Sequence, residues 1–164
     1  MAVQPDNWFE VGGLIVDVLK GHNWRDVRAI ATDEDFAGVD DPERVVAMPA
    51  LIVSYDDFSL EPIGNDGRAG IVAQRWSLVA AVESIGQDKR NLNKLGGELL
   101  MRTLSVLIGR RLAASYSPLT LVPGLVPQFS EDRIVGYYPM RVQTVFKIQF
   151  SEAVKNSLAH LYNL

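Results

Sequence analysis

The chain has 164 residues, of which 48% are hydrophobic and 22% charged, a composition typical of soluble globular proteins. Sixteen basic and twenty acidic residues give a net charge of −4, which argues against broad nucleic-acid binding, because such binding relies on a basic surface. The absence of cysteine excludes disulfides and thiol chemistry. The longest apolar stretch, VVAMPALIV, is too short for a membrane span, and MAVQPDNWFE does not have the pattern of a signal peptide. We therefore expect a soluble, cytoplasmic product without membrane contact.

The segment DNWFEVGGLIVDVLKGHNW predicts the first helix, with Asn7 as its N-cap, Glu10 three residues later and Gly21 as the stop. The side chains predicted to face the core are Trp8, Val11, Ile15, Val18 and Leu19. The next segment, DVRAIAT at 26–32, predicts a short strand. The acidic segment DEDFAGVDDPER has no periodicity and predicts a loop.

Two long strands are predicted next, joined by a turn around Asp66 and Gly67, a pair that favours hairpins. ALIVSYDDFSLEP begins with a continuous apolar run, which suits a buried strand. GIVAQRWSLVAAVES alternates, with Val72, Trp76, Leu78, Ala80 and Val82 on one side and Arg75, Ser77 and Glu83 on the other. We expect 50–60 and 71–84 to pair as an antiparallel hairpin.

The longest helix is predicted over 88–112, capped by Asp88 and carrying Arg110 and Arg111 in its last turn. Gly96 and Gly97 lie inside it, at a cost of about 1 kcal/mol each relative to alanine. A close approach to the sheet or to another helix would explain that cost. The segment SPLTLVPGLVPQ predicts a connector that prolines interrupt.

The last predicted strands are DRIVGYY and MRVQTVFKIQF, and Ser151 caps a predicted C-terminal helix. From Val142 onward the second strand alternates: one face carries Val142, Thr144, Phe146, Ile148 and Phe150, and the other carries Arg141, Gln143, Val145, Lys147 and Gln149. The predicted order is α-β-β-β-α-β-β-α. This order indicates one α+β domain over residues 1–164, a mostly antiparallel sheet with helices packed on one face.

Catalytic and cofactor motifs are largely missing from the sequence. The glycines of GNDGRAG do not match the dinucleotide fingerprint and join two strands, so we interpret the segment as a hairpin loop. Neither His22, just past a helix end, nor His160 has a nucleophile at a recognisable spacing. The sequence thus predicts no nucleophilic triad and no cofactor.

One acidic segment resembles part of a calcium loop. Asp33, Asp35 and Gly38 match the first, third and sixth positions, but Ala37 and Arg44 stand where the fifth and twelfth ligands should be. Because the bidentate carboxylate is missing, a solvated loop is the favoured interpretation and no metal site is predicted.

The pair Asp56 and Asp57 follows Tyr55 near a strand end. Adjacent strand residues point to opposite faces, so the two carboxylates converge only if a β-bulge intervenes. A small enzyme or ligand-binding domain that uses these three residues is an alternative to a structural protein.

The order of elements, with a proline directly before the buried strand of MPALIVSYDD and a late strand YYPMRVQTVFKIQF, resembles the tail terminator proteins of Mu-like bacteriophages and related prophages. The plan is more distantly similar to the small minor tail proteins that cap lambdoid tails. The resemblance implies a structural protein without catalytic residues or cofactor. It also implies a hexameric ring on the head-proximal end of the tail tube, in the virion tail.

The implied partners are other copies of the chain, the tail tube protein, a neck or head-completion protein and the tail sheath, with DNA only as passing cargo. A ring needs a contact between two different faces of neighbouring subunits. We expect the interface or the lumen to be formed by Arg75, Ser77, Tyr137, Tyr138, Arg141, Gln143 and Lys147. A head–tail neck or completion protein is the alternative within the same class.

Overall fold

The computed structural model describes residues 5–37, 47–84, 91–131 and 134–150. The helices are α1 (Glu10–Gly21), α2 (Asp33–Ala37) and α3 (Leu92–Leu107). The strands are β1 (Ala29–Thr32), β2 (Ala50–Ile63), β3 (Ala69–Glu83), β4 (Thr120–Val122), β5 (Gln128–Phe129) and β6 (Val135–Gln149).

The six strands form one sheet in the order β1-β2-β3-β6-β4, and β5 also pairs with β6. β1 runs parallel to β2, whereas every other neighbouring pair is antiparallel. The predicted α+β class and the mostly antiparallel sheet are therefore confirmed. The predicted hairpin is confirmed as well, because β2 and β3 pair along their whole length from Ala50 opposite Ala81 to Ile63 opposite Ala69.

The two long helices, α1 and α3, pack against one face of the sheet, which we call the helix face. Alternation along the strands supplies this face with apolar side chains, as the sequence predicts for β3 and β6. Val72, Trp76, Val142 and Phe146 are among its buried members. Val11, Ile15 and Leu19 of α1 pack against these side chains and complete the core. Burial of this apolar surface is the main stabilising term of the fold.

A close contact between α3 and the sheet explains one of the two helical glycines. A Cβ atom at Gly96 would lie 2.3 Å from Cδ2 of Tyr138, so only glycine fits there. The hydroxyl of Tyr138 donates a 2.7 Å hydrogen bond to Oδ1 of Asn93. Gly97 has no atom within 4 Å of the equivalent position, so the predicted close approach holds for Gly96 alone.

The end of α3 differs from the prediction. The helix ends at Leu107, and Gly109 adopts a left-handed backbone with φ of 80°, which glycine tolerates without strain. Arg110 and Arg111 therefore lie beyond the helix, whose real stop signal is Gly109. Its backbone N–H donates to the carbonyl of Leu119, which turns the chain back toward the sheet.

Other predicted boundaries also need correction. Residues 33–37 form the short helix α2 instead of a loop, and the connector contains β4 and β5. The two predicted final strands are one continuous strand, β6. The N-cap of α1 is Phe9, with Asn7 Oδ1 accepting a bond from its backbone N–H at 2.9 Å. The proposed cap Asp88 and the C-terminal helix after Ser151 lie outside the described residues.

None of the helices within the described ranges combines the length and apolar character that crossing a lipid bilayer requires.

Candidate assembly surface on the open face of the sheet

The face of the sheet opposite α1 and α3, which we call the open face, carries six of the seven side chains that the sequence singles out. It is built from the odd-numbered residues of β3 and β6 and their partners on β2. Residues of the three strands meet in rows across the sheet. We name three of them: the upper row Ser54–Ser77–Arg141, the middle row Asp57–Arg75–Gln143 and the lower row Glu61–Ile71–Lys147.

A β-bulge in β2 brings two carboxylates to the open face. Tyr55 pairs with Trp76 and Asp57 pairs with Arg75, so Asp56 is the extra residue between them. This bulge is the condition under which the two adjacent carboxylates were expected to reach the same face. Because of the bulge, Asp56 and Asp57 both point toward basic residues of the open face, while Tyr55 points to the helix face.

Asp56, the bulge residue, is the centre of a hydrogen-bonded cluster with two residues of the upper row. The hydroxyl of Ser77 donates to both carboxylate oxygens, at 2.8 and 2.7 Å, and Nε of Arg141 donates to Oδ2 at 2.7 Å. The side chain of Asp56 is 15% exposed and that of Arg141 is 25% exposed. Partial burial strengthens these charge-assisted bonds, so the Arg141 side chain is held in a fixed direction.

The middle row contains a second ion pair. Nε of Arg75 donates to Oδ1 of Asp57, whose side chain is 53% exposed. Gln143 of β6 is half-buried. It pairs with Arg75 of β3 on one side and with Thr120 of β4 on the other. Four of the seven predicted residues, Arg75, Ser77, Arg141 and Gln143, therefore lie together in two adjacent rows.

The remaining predicted residues lie apart from this cluster. Lys147 is exposed in the lower row, and Tyr137 is exposed on the open face near the start of β6. Tyr138 is instead on the helix face and is 5% exposed, because successive strand residues point to opposite faces. Burial there raises the pKa of its hydroxyl. In the single chain, Tyr138 is a core residue and is not available to a partner.

A second group of exposed side chains lies beside β6, in the connector that contains β4 and β5. Leu121, Leu125 and Val126 are 55%, 53% and 79% exposed, and Phe129 is 41% exposed. Exposed apolar side chains that cluster in one segment are typical of surfaces that bind other proteins. None of the four is among the seven residues predicted from the sequence, although Leu121, Leu125 and Val126 stand between the prolines of the predicted connector.

The enzyme alternative depends on Tyr55, Asp56 and Asp57 acting together, and the geometry separates them. The ring of Tyr55 packs edge-on against Phe9 and Trp76 on the helix face. Both carboxylates lie on the open face, where each accepts a hydrogen bond from an arginine side chain. The three side chains therefore do not converge on a common site.

The predicted solvated acidic segment uses its carboxylates for local hydrogen bonds. Asp35 Oδ2 accepts from the hydroxyl and the backbone N–H of Thr32, and Asp33 Oδ2 accepts from the Ser54 hydroxyl at 2.7 Å. Within the ranges that the structure describes, no three His, Cys, Asp or Glu side chains come together as a metal site would require. His22 lies just past the end of α1, as predicted; Gly38, Arg44 and His160 lie outside those ranges.

Comparisons with known proteins place this fold in a family. A family model described as "Phage tail terminator protein" matches residues 9–152, which is most of the chain. A chain of a solved structure titled "Virion of native gene transfer agent (GTA) particle" aligns with a TM-score of 0.46 and 7% identity, over 85% of this chain and 88% of that chain. No protein with a curated description matches. The chain belongs to the phage tail terminator family, a family of structural virion proteins, and its place is in the tail of the virion.

Proposed function

We propose that the protein forms a closed ring, a hexamer, on the head-proximal end of the phage tail tube. The ring stops polymerisation of the tube and offers its outer surface to the neck or head-completion protein. In a contractile tail it would also meet the sheath. The observation that carries this proposal is the family match over residues 9–152 on a chain whose sheet has one face without α1 or α3.

The open face suits a position at the lumen or between subunits. Its arginines are held by carboxylates instead of reaching into solvent, so the surface is ordered before any partner binds. Ordered side chains lose less conformational entropy on association than mobile ones do. We assign Arg75, Ser77, Tyr137, Arg141, Gln143 and Lys147 to this surface.

The charges of Asp56 and the three named rows are balanced, which suits a channel through which DNA passes without being retained. Tight binding to DNA requires unpaired basic groups that replace the counterions of the phosphates. Each basic residue of the named rows has an acidic counterpart, either bonded to it or in the same row: Arg75 with Asp57, Arg141 with Asp56, and Lys147 with Glu61.

The apolar connector supplies a second contact surface. Leu121, Leu125 and Val126 are too exposed to stabilise the single chain by burial. A stable contact between proteins buries about 1,200–2,000 Å² and has an apolar centre. We assign the connector to the contact with the tube or the neighbouring subunit, where these side chains lose their exposure to water.

Polymerisation of the tail tube protein tests the proposal directly. The tube protein from the same virion is polymerised with and without the purified chain, and tube lengths are measured by electron microscopy. We expect shorter tubes with added density at one end only. Unchanged tube lengths, with the chain bound to the portal side of the capsid instead, would identify a neck protein and contradict the proposal.

A further inference from the structure

Two edges of the sheet that lie on either side of β3 are open and oppositely charged. β1 covers β2 only as far as Val53, so the outer side of residues 57–63 faces no strand within the described parts of the chain. On the other side, β4 covers β6 at residues 141–143 and β5 covers it at residues 136–137. Ser117 forms hydrogen bonds with the backbone of Val145. The outer side of 146–148 faces no strand in those same parts.

The charges on these two strands have a simple pattern. Every charged residue of β2 is acidic, namely Asp56, Asp57 and Glu61, whereas every charged residue of β6 is basic, namely Arg141 and Lys147. Asp56, Asp57 and Arg141 are already paired inside the chain, so Glu61 and Lys147 are the charges that these two strands offer to a neighbour. Glu61 and Lys147 face the same side of the sheet in the lower row, separated by Ile71. Both residues are exposed.

An unpaired edge is a template for another strand, and a charge on the edge disfavours a strand of like charge and favours one of opposite charge. Two acidic edges repel each other and so do two basic edges, which disfavours a twofold symmetric pair. A contact between an acidic edge and a basic edge is favourable. It joins two different edges, so each copy binds the next one in the same orientation. Contacts of that head-to-tail kind close into rings when the rotation permits.

The strand directions agree with this arrangement. β2 and β6 are both antiparallel to β3, so they run parallel to each other within one chain. In a cyclic ring every copy points the same way along the axis, so β6 of one copy meets β2 of the next in the same sense. With neighbours at the same level, Lys147 of one copy lies beside Glu61 of the other.

We propose that neighbouring copies join through the lower part of the sheet, with the outer edge of β6 at 146–148 against the outer edge of β2 at 60–62, and that Lys147 pairs with Glu61 of the adjacent copy. This inference rests on the proposed ring and specifies its contact. The partner at both edges is a second copy of this chain. The open face of the joined sheets then faces the lumen.

A charge-exchange experiment tests the contact. Glu61→Lys places two lysines at every junction, and Lys147→Glu places two glutamates there, so each single variant should need at least about tenfold more protein for half-maximal ring assembly. A 1:1 mixture of the two variants should recover assembly, because alternating copies restore an opposite pair at each junction. The double variant in one chain should recover it for the same reason.

Lys94→Glu on α3 is the matched control for Lys147→Glu, since it makes the same charge change at an exposed position away from both edges. It should assemble like the natural chain. Thermal unfolding of every variant checks that the subunit itself is intact. Normal assembly of both single variants, or failure of the mixture and the double variant to recover it, would overturn the proposed contact while leaving the ring itself in place.

Cysteine cross-linking gives an independent readout, because the natural chain has no cysteine. Residues 61 and 147 lie two strand spacings apart within a subunit, about 10 Å, which is too far for a disulfide. The variant with Glu61→Cys and Lys147→Cys should therefore form a ladder of covalent oligomers. The pair Met101→Cys and Lys147→Cys should not.

Cross-linking is measured on the purified chain and on tube ends capped by it. Rings that form without a ladder contradict the proposed contact alone. If the natural chain forms no ring in either setting, the proposed function fails, and the contact that depends on it fails as well.

Discussion

Gly96 of α3 lies directly against the ring of Tyr138 on β6, where a Cβ atom would come within 2.3 Å of Cδ2. Gly96→Ala should therefore destabilise the fold by about 1–3 kcal/mol, because helix and sheet must move apart. The matched control is Gly97→Ala, one residue further on, where no atom lies within 4 Å. Alanine there should stabilise the protein by up to about 1 kcal/mol through helix propensity. Chemical denaturation of both variants checks the opposite signs, and equal effects would contradict the packing of α3.

Phe146 and Lys147 are neighbours in sequence that face opposite sides of the sheet. Phe146 is 4% exposed and packs edge-on against Trp8 and Tyr116. Phe146→Ala should cost about 3–5 kcal/mol of unfolding free energy, because it removes a buried ring. Lys147→Ala should change stability by less than about 0.5 kcal/mol. Urea unfolding of the two variants measures this contrast. An unchanged unfolding free energy for Phe146→Ala would show that the side chain of Phe146 does not face the core.

Asp56 and Asp57 are adjacent carboxylates with different surroundings. Asp56→Ala leaves Arg141 and Ser77 without their acceptor in a partly buried position, so it should cost about 1–3 kcal/mol. Asp57→Ala breaks a more exposed ion pair with Arg75 and should cost less than about 1 kcal/mol. Thermal unfolding of the two variants at equal ionic strength compares them. A larger loss for Asp57→Ala would argue against Asp56 as the centre of the cluster.

Tyr116 gives the fold a dependence on alkaline pH. Burial and the 2.5 Å hydrogen bond that its hydroxyl donates to Glu10 raise the pKa of Tyr116 above its ordinary value of 10.0. The folded state therefore keeps this proton more tightly than the unfolded state. The resulting stability is complete below about pH 10 and declines above it, by up to about 1.4 kcal/mol per pH unit.

Tyr116→Phe removes this titration while keeping the ring. We expect the free energy of unfolding of the variant to decrease less steeply between about pH 10 and 12 than that of the natural chain. Urea unfolding at several pH values measures the two slopes. Parallel slopes would show that the Tyr116 hydroxyl ionises as readily in the folded chain as in the unfolded one.

The sequence predicts side-chain facing well because facing is a local property. Alternation alone assigns Phe146 to the core and Lys147 to the other face, and the Asp66-Gly67 turn fixes the pairing of β2 with β3. Strand pairing between distant segments is not local. The parallel contact of β1 with β2 and the addition of β4 and β5 beside β6 depend on where the chain returns after α2 and α3. No short pattern in the sequence encodes those returns.

The candidate surface shows the same limit. Arg75, Ser77 and Arg141 could be assigned to one face from alternation, but their common partner Asp56 could not. A bulge moves one residue to the other face, and the alternation of side chains along the strand does not reveal its position. Tyr137 and Tyr138 were both predicted at the interface or the lumen, yet adjacent residues of a strand point to opposite faces.

The most direct measurement of the central claim is electron microscopy of tail tubes incubated with the purified chain, averaged at the tube ends. The account predicts a closed ring of identical subunits at one end of each tube, with a central opening continuous with the lumen of the tube. Bare tube ends at saturating protein concentration, with the chain remaining monomeric in solution, would contradict it.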